Sequence, residues 1–196
     1  NVVALAQRDL KRMLAYSGIA QMGYVAIGLA TFDGKAFEGI LVFLAGYLAT
    51  NVAAFLAVAA LSNGEKEPHP LADLAGLGRR RPFAATVLTL AMLSLTGLPP
   101  TVGFIGKLLV FRAAVDAGLI TLALVGIFGS LVSAGYYLRV VYYLWMKEPS
   151  REVAAAEEDV LSGAAYILVS AAMLVLGVLP RPLLDMARAA VQSLPG

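Results

Sequence analysis

Apolar residues fill long stretches of this chain, and short polar segments separate the stretches. A bilayer core about 30 Å thick requires about 20 consecutive apolar residues in a helix, because no water there can bond to the backbone. The pattern therefore predicts an all-α fold, a polytopic transmembrane helical bundle with five spanning units. These units cover residues 13–32, 39–63, 82–115, 119–146 and 160–180.

The third unit is too long for one straight helix across the bilayer at about 1.5 Å per residue. It is interrupted by Gly97, Leu98, Pro99 and Pro100. A proline has no amide hydrogen, and the residue before a proline is disfavoured in the α region, so we expect one discontinuous helix. The sequence leaves open whether this unit crosses the membrane once or turns back as a hairpin. A single broken crossing agrees better with the distribution of basic residues.

The segments between the predicted spans are polar. Residues 64–78 contain two prolines and residues 147–159 are charged, so both are predicted to be solvated loops. Beyond the fifth span, apolar residues recur at helical spacing, and we expect residues 181–196 to form a short interfacial helix. Basic residues precede the first and third spans, at residues 8–12 and 79–81. Because cytoplasmic loops are enriched in Lys and Arg, the N-terminal end of the chain is predicted inside and the C-terminus outside.

The composition supports a membrane protein and excludes several other classes. Hydrophobic residues make up 60% of the chain and charged residues 14%, against about 45–50% and 25% in typical globular domains. The net charge of +2 and the lack of a basic run interleaved with aromatics exclude nucleic-acid binding. Without cysteine and with His69 as the single histidine, the chain is predicted to hold no metal or redox cofactor. It begins Asn1-Val2-Val3, without an initiator Met or a signal peptide, so we expect a piece of a longer protein.

Lys107 is the residue that best fits proton chemistry, because it lies inside an apolar run just after the predicted break. A charge at membrane depth costs about 2.5–3.5 kcal/mol on insertion scales and indicates a function by default. Burial disfavours the charged ammonium relative to the neutral amine, so such a lysine can exchange a proton. The alternative is a lysine near a helix end that extends its head group to the interface. The adjacent break favours the first interpretation, because irregular backbone at this depth lines a wet cavity or is buried in protein.

Polar residues on the first two spans form a second group of candidates. Lys11 precedes the first span and is either an interfacial anchor or part of a proton path. The spacing predicts one polar face on each helix, which either holds a file of water or bonds to neighbouring helices. The two faces comprise Tyr16, Ser17 and Gln21 on the first span and Tyr47, Thr50 and Asn51 on the second.

The end of the fourth span is rich in aromatic residues, at Tyr136, Tyr137, Tyr142, Tyr143 and Trp145. We interpret them as an interfacial aromatic belt. Arg139 lies among them and either extends to the interface or pairs with an acidic residue of another subunit.

Two stretches resemble a known family. Residues 9–17 read Asp-Leu-Lys-Arg-Met-Leu-Ala-Tyr-Ser, with Gly23-Tyr24 following, and resemble the D-L-K-R-x-L-A-Y-S motif of the antiporter-like subunits of respiratory complex I. Residues 93–107, Leu-Ser-Leu-Thr-Gly-Leu-Pro-Pro-Thr-Val-Gly-Phe-Ile-Gly-Lys, resemble the discontinuous helix of those subunits. M-type relatives usually carry a glutamate at the position of Lys107 and a histidine in the earlier helix, where this chain has Gly46-Tyr47-Leu48-Ala49-Thr50-Asn51. The chain therefore resembles the N type of NADH:quinone oxidoreductase subunit.

The resemblance implies a proton-translocating membrane subunit. Lys107 would be the terminal lysine of the second proton half-channel, facing the neighbouring subunit or the periplasm, and Lys11 matches a family lysine of less defined role. Ser17, Tyr47, Asn51 and Thr96 would line a water path beside it. The full subunit contains a first half with its own glutamate and lysines, so the chain corresponds to the C-terminal portion.

The resemblance also implies which cofactors, partners and membrane location to expect. FMN, iron–sulfur clusters and quinone would belong to other subunits, with no cofactor and no redox step on this chain. The partners would be other membrane-arm subunits and the lipid bilayer. The location would be the bacterial inner membrane, with the N-terminal end of the chain cytoplasmic and the C-terminus periplasmic. Two alternatives remain, a subunit of a multisubunit cation/proton antiporter and a structural membrane subunit that does not pump.

Overall fold

The computed structural model describes residues 1–61, 70–148 and 160–193, with side chains described from residue 164 in the last range. These residues form α-helices, one 3-10 helix and an isolated bridge between Asp9 and Pro70, with no strand among them. The predicted all-α bundle is confirmed. Its α-helices are α1 Val2–Ala6, α2 Leu10–Leu29, α3 Gly34–Ala60, α4 Leu77–Arg80, α5 Pro82–Thr96, α6 Val102–Asp116, α7 Ile120–Trp145, α8 Val160–Val178 and α9 Arg181–Gln192.

Two of the helices begin earlier than the apolar pattern predicts. Asp9 caps α2, because its carboxylate accepts a 2.8 Å hydrogen bond from the amide of Arg12. Asp33 caps α3 in the same way, accepting at 3.3 Å from the amide of Lys35. Such caps satisfy amides that would lack partners in a first turn, so both helices start within polar residues. The α7 and α8 bounds lie close to the predicted ones, and residues 62 and 63 of the second unit lie outside the described residues.

By length and hydropathy, two of the described helices are able to cross a membrane, α3 and α7. A third candidate is the pair formed by residues 164–178 and α9, which meet at a 76° bend. Helix α2 carries several polar residues and is not among these candidates. Helices α5 and α6 have 15 residues each, too few to span about 30 Å alone. The five crossings therefore stay a prediction.

Helices α5 and α6 lie one after the other along α3. Their contacts with α3 follow a single antiparallel order, in which residues later in the third unit meet residues earlier in α3. From the end of the unit backwards, these pairs are Gly106 with Phe43, Val102 with Gly46, Ser94 with Thr50, and Arg81 with Ala60. The third unit thus passes α3 once and does not fold back on itself.

Helix α7 gives the same result from the other side. Along α7 the partners again run in one direction, from α6 to α5. These pairs are Gly126 with Phe111, Ser130 with Lys107, and Trp145 with Thr89. The break between α5 and α6 therefore lies near the middle of the bundle, flanked by two continuous helices.

The segment before α5 differs from the predicted solvated loop. Leu71 and Leu74, in the 3-10 helix Leu71–Leu74, and Leu77 in α4 are at most 4% exposed. The amide of Leu71 donates to the carbonyl of Arg8 at 2.8 Å. The prediction is wrong for residues 71–78, because their leucines pack into the core near the start of α2. Residues 64–69 lie outside the described part of the chain, as do residues 149–159 of the second predicted loop.

The C-terminal segment forms the helix that the sequence predicts, as α9. Arg188 of α9 pairs with Glu38 of α3 at 3.3 Å, and Ala187 is buried. This places α9 against the early part of α3. Its position at a membrane interface stays a prediction, and residues 194–196 lie outside the described residues.

Candidate functional site: a buried lysine at a helix break

The two prolines leave two particular carbonyls without their usual partners. In an uninterrupted α-helix the amide of residue 99 would donate to the carbonyl of Leu95, and the amide of residue 100 to that of Thr96. Pro99 and Pro100 carry no amide hydrogen. Gly97 ends α5 with a φ of +88°, a left-handed conformation that glycine adopts without strain. Because unpaired backbone carbonyls are costly in the interior, both need another donor.

Lys107 supplies that donor. It lies in the second turn of α6 and is 5% exposed. Its Nζ donates to the carbonyl of Leu95 at 2.7 Å, to the carbonyl of Thr96 at 3.0 Å, and to Oγ of Ser130 at 3.0 Å. These three bonds use all three ammonium hydrogens. The position at the C-terminal end of α5 also favours a positive charge, because the helix dipole is negative there.

One further group, Tyr24, and a bond between two of the acceptors complete the surroundings of the ammonium. The ring centroid of Tyr24, on α2, lies 5.0 Å from Nζ, within the range of a cation–π contact. The hydroxyl of Ser130 donates to the carbonyl of Thr96 at 3.2 Å. Among the described residues, no carboxylate forms an ion pair with Lys107. The charge is therefore held by dipoles and a ring, without a neutralising acid from this part of the chain.

Polar groups of α2, α3 and α5 lie on one side of Lys107. Gln21 donates to the carbonyl of Leu95 at 3.1 Å and to the hydroxyl of Tyr137 at 3.2 Å. The hydroxyls of Thr50 and Ser94 are 3.0 Å apart. These side chains border a small cavity of about 10 Å³, the size needed for one water molecule. It is lined by Gln21, Phe43, Tyr47, Thr50, Ser94, Leu95, Gly103 and Lys107.

A larger cleft lies on the other side, between α6 and α7. It has a volume of about 480 Å³ and a mainly apolar lining. Lys107 and Ser130 lie on its wall with Thr96 and Gly97, and Arg112 and Val115 line it toward the end of α6. Lys107 is thus the residue that borders both the small cavity and the large cleft.

Several predicted site residues come together at this point and others do not. Lys107, Gln21, Tyr47 and Thr96 surround the break, and Asn51 lies one turn beyond Tyr47, partly buried. Ser17 is buried on α2 and donates to the carbonyl of Leu14 on its own helix. Pro99 and Pro100 are exposed at the break itself.

Two predicted residues lie elsewhere. Lys11 is in the first turn of α2, about 15 Å along the helix axis from Gln21. Tyr16 is 40% exposed and lines a separate surface cavity with Gln7 and Arg12. The polar face predicted for α2 is therefore corrected to Ser17 and Gln21. Adjacent positions on a helix point about 100° apart, which separates Tyr16 from Ser17.

The predicted aromatic belt is wrong for two of its members. Tyr136 and Tyr137 are fully buried, and the hydroxyl of Tyr136 donates to Oδ1 of Asn1 at 2.9 Å. Tyr142, by contrast, is 49% exposed. Arg139 donates to the carbonyls of Leu5 and Gln7, at 3.1 and 2.6 Å, and its pairing with an acidic residue of another subunit stays a prediction. Its two hydrogen bonds stabilise the end of α1.

Ser130, Ser94 and Tyr24 belong to the site but were not predicted to do so. Ser130 is one of two serines in the middle of the fourth span, with Ser133, and serines are common in such helices, so the sequence does not single it out. Ser94 and Tyr24 lie within the two family motifs, but no spacing rule links either to Lys107. Ser130 and Tyr24 contact Lys107 directly, whereas Ser94 pairs with Thr50 beside it.

Comparison with known proteins agrees with this architecture. The family described as NADH:quinone oxidoreductase/Mrp antiporter, TM, matches residues 1–133. The chain belongs to this family. Among its relatives, NADH-quinone oxidoreductase subunit N of Geobacter metallireducens is 45% identical over 190 residues, 96% of this chain and 40% of that protein. Subunit N 1 of Herpetosiphon aurantiacus is 41% identical over 97% of this chain and 39% of its own length. The chain thus spans about two fifths of these antiporter-family relatives.

Two solved structures have the same fold as this chain. A chain of respiratory complex I from Thermus thermophilus aligns with a TM-score of 0.80 and 35% identity, over 94% of this chain and 41% of that one. A chain of the Mrp complex from a Dietzia species aligns with a TM-score of 0.85 and 24% identity, over 97% and 44%. The second likeness concerns the fold alone.

Proposed function

We propose that this chain is the lysine-bearing portion of a proton-translocating, N-type membrane subunit of NADH:quinone oxidoreductase. The observation that carries the proposal is the burial of Lys107 on three hydrogen-bond acceptors at the break between α5 and α6. Membership in the antiporter family and similarity to relatives named subunit N support it. An intramembrane ionisable group held in this way is the expected feature of an ion path.

In the proposed mechanism Lys107 alternates between the ammonium and the neutral amine. The freed carbonyls of Leu95 and Thr96 stabilise the ammonium, whereas burial favours the amine. A change in the nearby charge would then shift the balance between the two states. Charge arriving from a lysine upstream in the complete subunit would drive the change. The proton would move through water near Ser17, Gln21, Tyr47, Asn51 and Thr96.

The complete subunit would work within a larger assembly. We propose other membrane-arm subunits as its partners, and FMN, iron–sulfur clusters and quinone as cofactors of other subunits, with no redox step on this chain. The third unit would cross the bacterial inner membrane once, as a broken helix, which agrees with the single passage of α5 and α6 along α3 and α7. The ends of α3 and α7 near residues 79–81 would be cytoplasmic, and the C-terminus periplasmic.

Lys107→Met in the intact complex tests the proposal. Methionine keeps the length of the side chain and removes the ionisable group, so protons pumped per NADH oxidised should fall. Lys35→Met is the matched control, because Lys35 is exposed at the start of α3 and its replacement should leave pumping unchanged. Proton uptake and NADH:quinone turnover are measured on the same vesicles. Unchanged pumping per electron in Lys107→Met would show that Lys107 carries no proton.

A second candidate function is transport in a multisubunit cation/proton antiporter. The name of the matched family, which includes Mrp antiporters, favours keeping it. Such a subunit needs no NADH, and its transport would depend on sodium. Proton flux driven by a sodium gradient in the absence of NADH would therefore support the antiporter. A purely structural subunit would require Lys107 to face lipid, and its 5% exposure argues against that role.

A further inference from the structure

Ser130 provides the acceptor that joins Lys107 to α7. The other two acceptors of Nζ are backbone carbonyls of α5, whereas the third, at 3.0 Å, is the hydroxyl oxygen of Ser130. The Ser130 hydroxyl in turn donates to the carbonyl of Thr96 at 3.2 Å. Nζ, Oγ and this carbonyl form a closed triangle of hydrogen bonds.

The three acceptors differ in chemical capacity. A carbonyl oxygen accepts hydrogen bonds and cannot donate one, whereas a hydroxyl does both and turns to suit its neighbours. An ammonium group needs three acceptors. A neutral amine has two hydrogens and one lone pair, so it needs two acceptors and one donor. Among the three groups bonded to Nζ, Ser130 is therefore the one able to change from acceptor to donor.

We propose that Ser130 is a positioning residue that satisfies Lys107 in both of its charge states. With the ammonium, Oγ accepts from Nζ and its hydrogen points to Thr96, as in the structure. When the ammonium gives one proton to water, the hydroxyl turns and donates to the lone pair of Nζ. The two remaining amine hydrogens stay on Leu95 and Thr96. Ser130 keeps its own hydrogen throughout, and the proton leaves on the water as hydronium.

This arrangement keeps the amine between its two cavities while its charge changes. Lys107 borders both the small cavity of about 10 Å³ and the large cleft, and Ser130 lines the cleft. Without a hydroxyl on α7, the ammonium would have one unbonded hydrogen and the amine an unbonded lone pair. Either state would then turn toward water, and the side chain would lose its fixed position. The inference rests on the proposed function and assigns to it a residue on a different helix.

Two variants of the same shape distinguish the effect of the hydroxyl group from the effect of side-chain packing. Ser130→Thr keeps the hydroxyl and adds a methyl group, for which the adjoining cleft of about 480 Å³ has room. Ser130→Val has the shape of the threonine without the hydroxyl. In the intact complex, Ser130→Val should lose the greater part of the pumping that Lys107→Met loses, and Ser130→Thr should keep most of it. Protons pumped per NADH oxidised and the amount of assembled complex are measured for each.

Ser133→Ala is the control on the same helix. Ser133 is one turn further along α7, fully buried, and its hydroxyl donates to the backbone carbonyl of Ser130. Its replacement should leave pumping per electron at the level of the unaltered complex. Should Ser130→Val fail to assemble, Ser130→Ala takes its place, since alanine is smaller than serine and makes no new contact.

Three outcomes overturn the inference. Pumping by Ser130→Val, or by its alanine substitute, at the unaltered level would show that the hydroxyl is not needed. Equal losses in the threonine and valine variants would show that the shape of the residue decides. An equal loss in Ser133→Ala would show a general disturbance of α7. Each of these is distinct from failure of the proposed function, which normal pumping by Lys107→Met alone would establish.

Discussion

At the scale of single residues, Gly97 determines how closely Lys107 approaches α5. Its φ of +88° costs a non-glycine residue about 1–2 kcal/mol. An added Cβ would lie 2.9 Å from Cδ of Lys107, closer than such atoms normally approach. The glycine therefore serves two purposes, which are the turn that ends α5 and the space for the lysine stem.

Gly97→Ala should therefore displace Lys107 and lower protons pumped per NADH oxidised. Gly118→Ala is a matched control, because Gly118 has a φ of +76° with nothing within 4 Å of an added Cβ. Both variants bear a similar backbone cost, and the control should pump normally. Pumping is compared at equal amounts of assembled complex. Equal pumping in the two variants would contradict a role for the space at Gly97.

The sequence predicts part of the residue-level site. A lone lysine in an apolar run identifies Lys107, and the positions of Pro99 and Pro100 determine which carbonyls lack amide partners. The third acceptor, Ser130, is 23 residues further along the chain, and no local pattern connects it to Lys107. Tyr136 and Tyr137 were mispredicted because aromatic residues near a span end resemble a belt, whereas they pack in the core.

At the scale of helices, the break between α5 and α6 is a consequence of two missing amides. The carbonyls of Leu95 and Thr96 accept from Lys107 instead of from residues 99 and 100. The sequence predicts the break but leaves a hairpin open, because the apolar pattern does not report the direction of the chain. The contacts with α3 and α7 decide it, and these contacts join residues far apart in the chain.

Replacing both Pro99 and Pro100 by alanine should restore the two amides and favour a continuous helix through the break. The amides would then compete with Lys107 for the carbonyls of Leu95 and Thr96, so pumping per electron should fall. Pro182→Ala is the control, because Pro182 lies in the first turn of α9, where no amide partner is needed. Normal pumping in the double variant would show that the break is incidental to transport.

At the scale of the whole molecule, the two basic clusters of the sequence, residues 8–12 and 79–81, lie at the same end of the bundle. The amide of Leu71 bonds to Arg8, and Gly78 packs against Trp145, so the start of α2, the segment before α5 and the end of α7 lie together. Residues 79–81 and Lys147 belong to this end. Asp33, at the start of α3, and Asp116, at the end of α6, both lie at the other end of the bundle. The positive-inside rule then predicts that the basic end is cytoplasmic.

This chain contains no cysteine, so single introduced cysteines report this orientation once any cysteine elsewhere in the complete subunit has been replaced. Arg79, Lys147, Asp33 and Asp116 are all exposed, so a cysteine at each should react without disturbing the core. Applied to intact cells, a membrane-impermeant maleimide should label Asp33→Cys and Asp116→Cys but neither Arg79→Cys nor Lys147→Cys. Inverted membrane vesicles should give the reverse pattern. A hairpin would place Asp116 on the side of Arg79 and Lys147 on the other. The proposed path through Lys107 depends on a single broken crossing. Labelling of Asp116→Cys and Arg79→Cys in the same preparation, cells or inverted vesicles, would therefore contradict it.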